Sequence, residues 1–229
     1  MLNRLLRLIF PPKCIFCGAM LKPSEPDVCQ MCMDAVLLDG EPAQRVNGAF
    51  FDSAVGALRY EGNVRKALHR FKFSGKQSYA VPLARVLAFA LDQKGVGDFD
   101  LIVSVPTNRK NVRKRGYNHA DLLGRELARL TGRPYIDVLA KSRETVPMFG
   151  LKQAERRANV LGAFSLKCRP EDIEGRRVLL VDDVITTGAT LSECARILKE
   201  NGAAAVLCAT AASAPRKNLG ASPQTPQNF

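Results

Sequence analysis

No stretch of this chain reaches the roughly 20 consecutive apolar residues that a membrane-spanning helix needs, so no span is expected. No loop carries the lysine of a nucleoside-triphosphate cradle: the one Gly-Lys pair, Gly75-Lys76, lacks the upstream glycine that such a loop requires. Met1–Phe10 does not read as a secretory signal, because Arg4 and Arg7 interrupt its apolar region and no small-residue cleavage site follows. It is expected to be a short basic amphipathic helix packed on its own protein. No internal repeat is visible. Acidic residues are scarce: 22 Asp and Glu against 34 Lys and Arg leave a net charge of +12. The excess favours negatively charged partners, either phosphorylated ligands or nucleic acid. At 229 residues and 46% hydrophobic, the chain can bury one good core plus a small appended module.

What is present is concentrated in a few segments. Val178-Leu-Leu-Val-Asp-Asp-Val-Ile-Thr-Thr-Gly-Ala-Thr190 joins an apolar β-branched run to two carboxylates, Asp182 and Asp183. A small-residue turn follows, Thr186, Thr187, Gly188, Ala189 and Thr190, and then a helix. Thr190 and Glu193 fit a capping box, while Leu191, Cys194, Ala195 and Leu198 share one helical face. A buried strand, a phosphate-sized loop and a helix N-terminus converge backbone N–H groups and the helix dipole on an anion. Two acids beside such a cradle suit a sugar phosphate, since carboxylates accept hydrogen bonds from vicinal ribose hydroxyls. The plainer reading is an ordinary strand–turn–helix corner, but adjacent buried acids are costly without partners.

A second strand, 101–105, runs into a loop with dense positive charge. Ser104, Val105, Pro106, Thr107, Asn108, Arg109 and Lys110 open it, and Arg113, Lys114 and Arg115 continue it. Cationic donors in this density suit pyrophosphate, which an Arg fork matches well. A solvated basic loop or a nucleic-acid patch remains the alternative. Segment 141–164 mixes charges with turn formers and reads as a mobile loop followed by a short helical piece. It is a candidate lid, with Arg156 and Arg157 grouped with Arg113 and Arg115 as lid or DNA contacts.

Cys14-Ile-Phe-Cys17 and Cys29-Gln-Met-Cys32 are two Cys-x-x-Cys knuckles with eleven residues between them. Redox pairs do not usually come in tandem, so Cys14, Cys17, Cys29 and Cys32 read as a zinc ribbon. Four thiolates fill a tetrahedral site, making the ion structural. The apolar residues nearby look too few for a separate core, so metal binding is expected to supply the folding energy of this module. Cys168, Cys194 and Cys208 are scattered and read as reduced core residues, which suggests a cytoplasmic protein.

Residues 178–190 resemble the ribose-phosphate motif of type I phosphoribosyltransferases, whose ligand is phosphoribosyl pyrophosphate (PRPP). With the tetracysteine module in front, the chain resembles the ComF, or GntX-like, family from about Phe10 to about Ala212. Further shared segments are Phe10-Pro11-Pro12, Leu58-Arg59-Tyr60-Glu61-Gly62 and Phe71-Lys72-Phe73-Ser74-Gly75. Arg113-Lys114-Arg115-Gly116-Tyr117-Asn118 and the run from Glu155 to Phe164 complete the set. The resemblance implies a parallel α/β sheet flanked by helices, Asp182 and Asp183 on the ribose hydroxyls directly or through Mg²⁺, and PRPP as ligand. It also implies a link to DNA uptake in natural competence and so to competence-machinery partners. The chain departs from the family pattern at Asn108, Asn111, His119 and Met148.

Arg65, Lys66, Arg70, Lys72 and Lys76 fall outside these loops, interleaved with Phe71, Phe73 and Tyr79. Such a pattern can stack bases and contact phosphates of single-stranded DNA. The plainer reading is a helix whose Phe residues face the core. Strands are expected near 53–59, 101–105, 178–182 and 204–210, with helices near 63–71, 79–92, 118–130 and 191–201. The expected units are 1–45 (zinc module), 46–212 (phosphoribosyltransferase-like) and 213–229 (a disordered tail). Two functions follow. One is transfer of phosphoribosyl to an acceptor that the sequence does not specify; the other is a non-catalytic DNA- or partner-binding protein.

Overall fold

The computed structural model describes residues 11–25, 27–38, 49–146 and 152–214. Met1–Phe10, Met148 and most of the 213–229 tail therefore lie outside the described residues. In chain order the elements begin with α1 (Gln30–Leu38), β1 (Ser53–Arg59), α2 (Gly62–Phe73), α3 (Ala80–Gln93) and β2 (Leu101–Ser104). They continue with α4 (Arg109–Arg115), α5 (His119–Thr131), β3 (Leu139–Lys141), α6 (Gln153–Val160) and β4 (Phe164–Leu166). The last three are β5 (Arg177–Ile185), α7 (Ala189–Glu200) and β6 (Ala205–Ser213).

Four strands form an entirely parallel sheet in the order β1-β6-β5-β2. β5, one of its two inner strands, is apolar on both faces because both are covered. Leu179 and Val181 join a core with α2, α3 and α5, while Val178 and Leu180 join a second core with α7 and β4. All four are fully buried. β3 and β4 pair as a short antiparallel ribbon outside this sheet. No helix among the described residues is long and apolar enough to cross a membrane.

Most expected elements are present within two residues of their expected limits. β5 runs three residues further than expected, so Asp182 and Asp183 lie within the strand, paired alongside β6. β2 stops earlier, its last residue Ser104 in register with Val181. The basic segment therefore leaves the sheet beside the acids. That segment is not a loop throughout: α4 forms because the Asn108 side chain caps it, accepting from the Asn111 N–H at 2.8 Å. Gly116, at φ +85°, ends it.

The cysteine module does not stand apart. Ile15, Phe16 and Val28 are buried in the same core as Leu83, Val86 and Leu87 of α3. Arg70 of α2 donates to the Ile15 carbonyl at 2.8 Å, and Arg85 pairs with Asp27. The few apolar residues of the module are too few for a core of its own, and they share that of the sheet domain.

Candidate functional site

Three segments meet beyond the carboxyl ends of β2 and β5, the position where open α/β sheets hold ligands. The β5–α7 turn supplies Thr186–Thr190 and ends at Gly188, whose φ of +74° a residue with a side chain would adopt only under strain. Gly188, not Thr190, caps α7. The expected capping box is absent because Glu193 is committed elsewhere. Its carboxylate accepts the Gly162 N–H at 2.8 Å and pairs with Arg196 at 2.7 Å. The free N–H groups of the first turn of α7 thus point into the turn without a side-chain cap.

Asp182, Thr186–Thr190 and Arg156 line one cleft. Arg156, from α6, donates to Thr186 Oγ1 at 3.2 Å, which brings α6 to the turn. The described residues on either side of 147–151 are tied to each other. Asn159 brackets the Val146 backbone, accepting its N–H at 3.0 Å and donating to its carbonyl at 2.9 Å. Arg143 donates to the carbonyls of Asn159 and Leu161. Lys110 pairs with Glu144 at 2.8 Å, an exposed contact between the basic segment and the chain after β3. Arg157 lies instead in a neighbouring recess with Phe50, Leu161 and Ser192.

The two acids have different surroundings. Asp182 Oδ1 accepts the Asp183 N–H at 2.8 Å. Burial, reinforced by the Asp183 charge, pushes the Asp182 carboxyl up to about 7. Asp183 is buried and turned towards α2 and α5, where Lys72 Nζ meets its Oδ2 at 2.7 Å. Burial opposes charge on Lys72, but the Asp183 carboxylate outweighs it and holds the ammonium above its ordinary value. His119 Nδ1 lies 4.0 Å from the same oxygen. Burial depresses His119 below its usual range despite Asp183, which favours the neutral ring.

Ser104 is buried, and its hydroxyl is bonded to Tyr135 at 2.8 Å, which in turn donates to Asp121 at 2.5 Å. Among the basic-segment residues, Asn111 also reaches Thr107 Oγ1 at 3.4 Å. Asn118 fastens this segment by donating to the Val105 carbonyl at 3.0 Å. Arg113 is exposed on α4, and Arg115 stands over the Phe73 ring.

The four cysteine sulfurs, Cys14, Cys17, Cys29 and Cys32, all lie within 4.8 Å of one another. A tetrahedral Zn–S₄ centre has sulfur–sulfur edges of about 3.8 Å, so the donor set fits zinc with little movement. Cys168, Cys194 and Cys208 take no part in it.

The chain matches a phosphoribosyl transferase domain over residues 112–222 and a double zinc ribbon domain over residues 5–55. It is 30% identical over 228 residues to DNA utilization protein YhgH of Escherichia coli K12, covering 89% of this chain and 99% of that one. It is 39% identical over 140 residues to Competence protein F of Haemophilus influenzae, covering 59% of this chain and 61% of that relative. Competence protein ComFC of Bacillus subtilis is 26% identical over 207 residues, 84% of this chain and 80% of that protein. The chain belongs to the ComF family.

ComF membership and the topology agree on the fold: a type I phosphoribosyltransferase-like parallel sheet flanked by helices, with a structural zinc ribbon at its N-terminal side. Sequence reasoning placed the acids, the turn and the cysteines, and the fold gathers them as two separate centres. It does not place Lys72, which it reads with Arg65, Lys66, Arg70 and Lys76 as a candidate DNA-contacting cation, or the Tyr135–Asp121 support of Ser104. A signal for Lys72 was available. It follows the fully buried Leu68 by four residues and so shares its helical face.

Proposed function

We propose that this ComF-family protein binds PRPP and transfers its phosphoribosyl group to an acceptor, releasing pyrophosphate. The observation that carries this reading is the uncapped α7 N-terminus sharing one cleft with Asp182 and Arg156. Thr186–Thr190 would hold the 5′-phosphate through backbone N–H groups, and Arg156 would close over it. Asp182 and Asp183 would take the ribose hydroxyls. Val105–Lys110 would hold pyrophosphate through backbone groups and the Lys110 cation, with Ser104 keeping the segment in place through Tyr135. In the transfer, the C1–oxygen bond to pyrophosphate breaks and its electron pair leaves with pyrophosphate, while a bond from C1 to the acceptor forms and the acceptor's proton passes to pyrophosphate or solvent. Positive charge develops on the ribose ring, and the acidic pair stabilises it electrostatically. Mg²⁺, if bound with PRPP, would be held by the ligand's own pyrophosphate oxygens and would neutralise the leaving group there.

The names of the relatives connect the family with DNA utilization and competence, and this protein is proposed to act there, in the cytoplasm. The proposed units remain 1–45, 46–212 and 213–229. Calorimetric titration of PRPP with Mg²⁺ into wild type and Asp182→Asn/Asp183→Asn tests the reading. The expected result is micromolar binding, about −8 kcal/mol, that the double variant loses. No binding by a folded, zinc-loaded wild type would sink it.

One observation favours DNA binding as a second activity. Phe73 is 56% exposed, with the Arg115 guanidinium 4.6 Å from its ring centroid and the His69 ring at 4.8 Å. Arg65 and Lys66 lie on the same helix. An exposed ring among cations is a stacking platform for single-stranded DNA. Anisotropy with a labelled oligothymidine should show affinity that falls steeply with salt and drops about tenfold in Phe73→Ala, roughly the value of one stacked base. Equal binding by Phe73→Ala would remove this reading.

A further inference from the structure

We infer that Lys72 is the resident cation of the acidic pair, standing at Asp183 where a divalent ion would otherwise sit. The inference rests on the ribose-phosphate reading above and specifies how that site is charged. Asp183 Oδ2 is held by Lys72 Nζ at 2.7 Å, and His119 crowds the same oxygen at 4.0 Å. The Asp183 side chain is 9% exposed and that of Lys72 22%. The pair is therefore largely buried, with part of the Lys72 side chain left exposed.

The surroundings fix Lys72 in place. Phe71, its neighbour on α2, is fully buried, and its carbonyl accepts the Tyr117 hydroxyl at 2.5 Å. The Lys72 carbonyl lies 3.3 Å from His119 Nε2. α2 is thus tied to the start of α5 at two successive carbonyls, and the ammonium is presented to β5 from a braced backbone. Mg²⁺ demands near-octahedral oxygen geometry and sheds water reluctantly. A carboxylate oxygen already bonded to an ammonium and walled by an imidazole is a poor ligand for it. A compact point charge with three donors, by contrast, can keep one hydrogen bond on Asp183 and offer another to a ribose hydroxyl. Ribose would then be recognised by Asp182 and a Lys72–Asp183 pair. The demand for metal would fall on pyrophosphate alone.

Ribose 5-phosphate is the discriminating probe, because it lacks pyrophosphate and reports metal bound at the acids. It is titrated into the full chain in resin-treated, magnesium-free buffer and again with Mg²⁺, beside PRPP as a control. Wild type is expected to bind ribose 5-phosphate within twofold in both buffers. Lys72→Met should lose at least tenfold without Mg²⁺ and recover part of it with Mg²⁺, whereas Lys72→Arg should stay within about threefold of wild type. A tenfold gain by wild type on adding Mg²⁺ overturns the inference whether or not Lys72→Met folds. So does a folded Lys72→Met that binds like wild type in magnesium-free buffer, since Lys72 would then be a folding contact only. If wild type binds neither PRPP nor ribose 5-phosphate, the phosphoribosyl reading falls and this inference with it. Binding of PRPP with a failed Lys72 pattern removes the inference alone.

Discussion

At Asp182 and Asp183, two adjacent carboxylates are charged by different neighbours. Asp183 has an ammonium at 2.7 Å, while burial and the Asp183 charge raise Asp182 towards neutrality. The consequence for stability has a definite sign. The folded carboxyl holds its proton up to about 7, against an ordinary value of 3.8. Between these values the native state binds the proton that the unfolded chain releases, so the contribution of Asp182 to stability falls as pH rises through that window. His119 acts oppositely: depressed by burial, it contributes stability above its ordinary value and loses it as pH falls. Comparing Asp182→Asn with wild type cancels His119. In urea unfolding, Asp182→Asn should gain about 1 kcal/mol on wild type between pH 6 and pH 8. A difference that stays flat across that range would mean the carboxyl titrates normally. The pairing of Lys72 with Asp183 is not written in the sequence, because the two residues come together only in the fold.

At the scale of elements, what was legible is what the chain buries. Val178–Val181 reads as a strand because both its faces are apolar, and Leu123 and Leu127 mark α5 by their helical spacing. Elements without a buried stripe were not legible. α4 is made of Arg, Lys, Asn and Val, and only its Asn108 cap and its Gly116 stop announce it. β3 and β4 span three residues each and exist because they pair, Leu139 against Leu166 and Lys141 against Phe164. α1 was hidden by the second cysteine knuckle, whose Cys32 it carries. The cap of α7 moved from Thr190 to Gly188 because Glu193 found a better pair of partners in Gly162 and Arg196. Local capping rules were overridden there by a contact across 31 residues of chain.

For the whole molecule, the zinc ribbon and the sheet domain are joined by a common core. Ile15, Phe16 and Val28 are covered by α3, and zinc ligation fixes the turn that presents two of them. Cys14→Ser/Cys17→Ser should abolish bound zinc, measured by metal analysis, and expose this patch. The loss of such residues is worth about 3 kcal/mol or more, and the thermal midpoint of the entire chain should drop by roughly 10 °C in a single transition. A high-temperature transition that stays in place would show two independent units. Residue types and their order set out the chemistry on offer: four thiolates at zinc spacing, a strand ending in acids and a turn, and a strong excess of cations. Such signals are local, set by residue type and spacing along the chain. Tertiary structure alone decided which cation serves which anion. Of the five cations near α2, it sent Arg70 to the zinc module and Lys72 to Asp183, because a charge is assigned by what folding buries beside it.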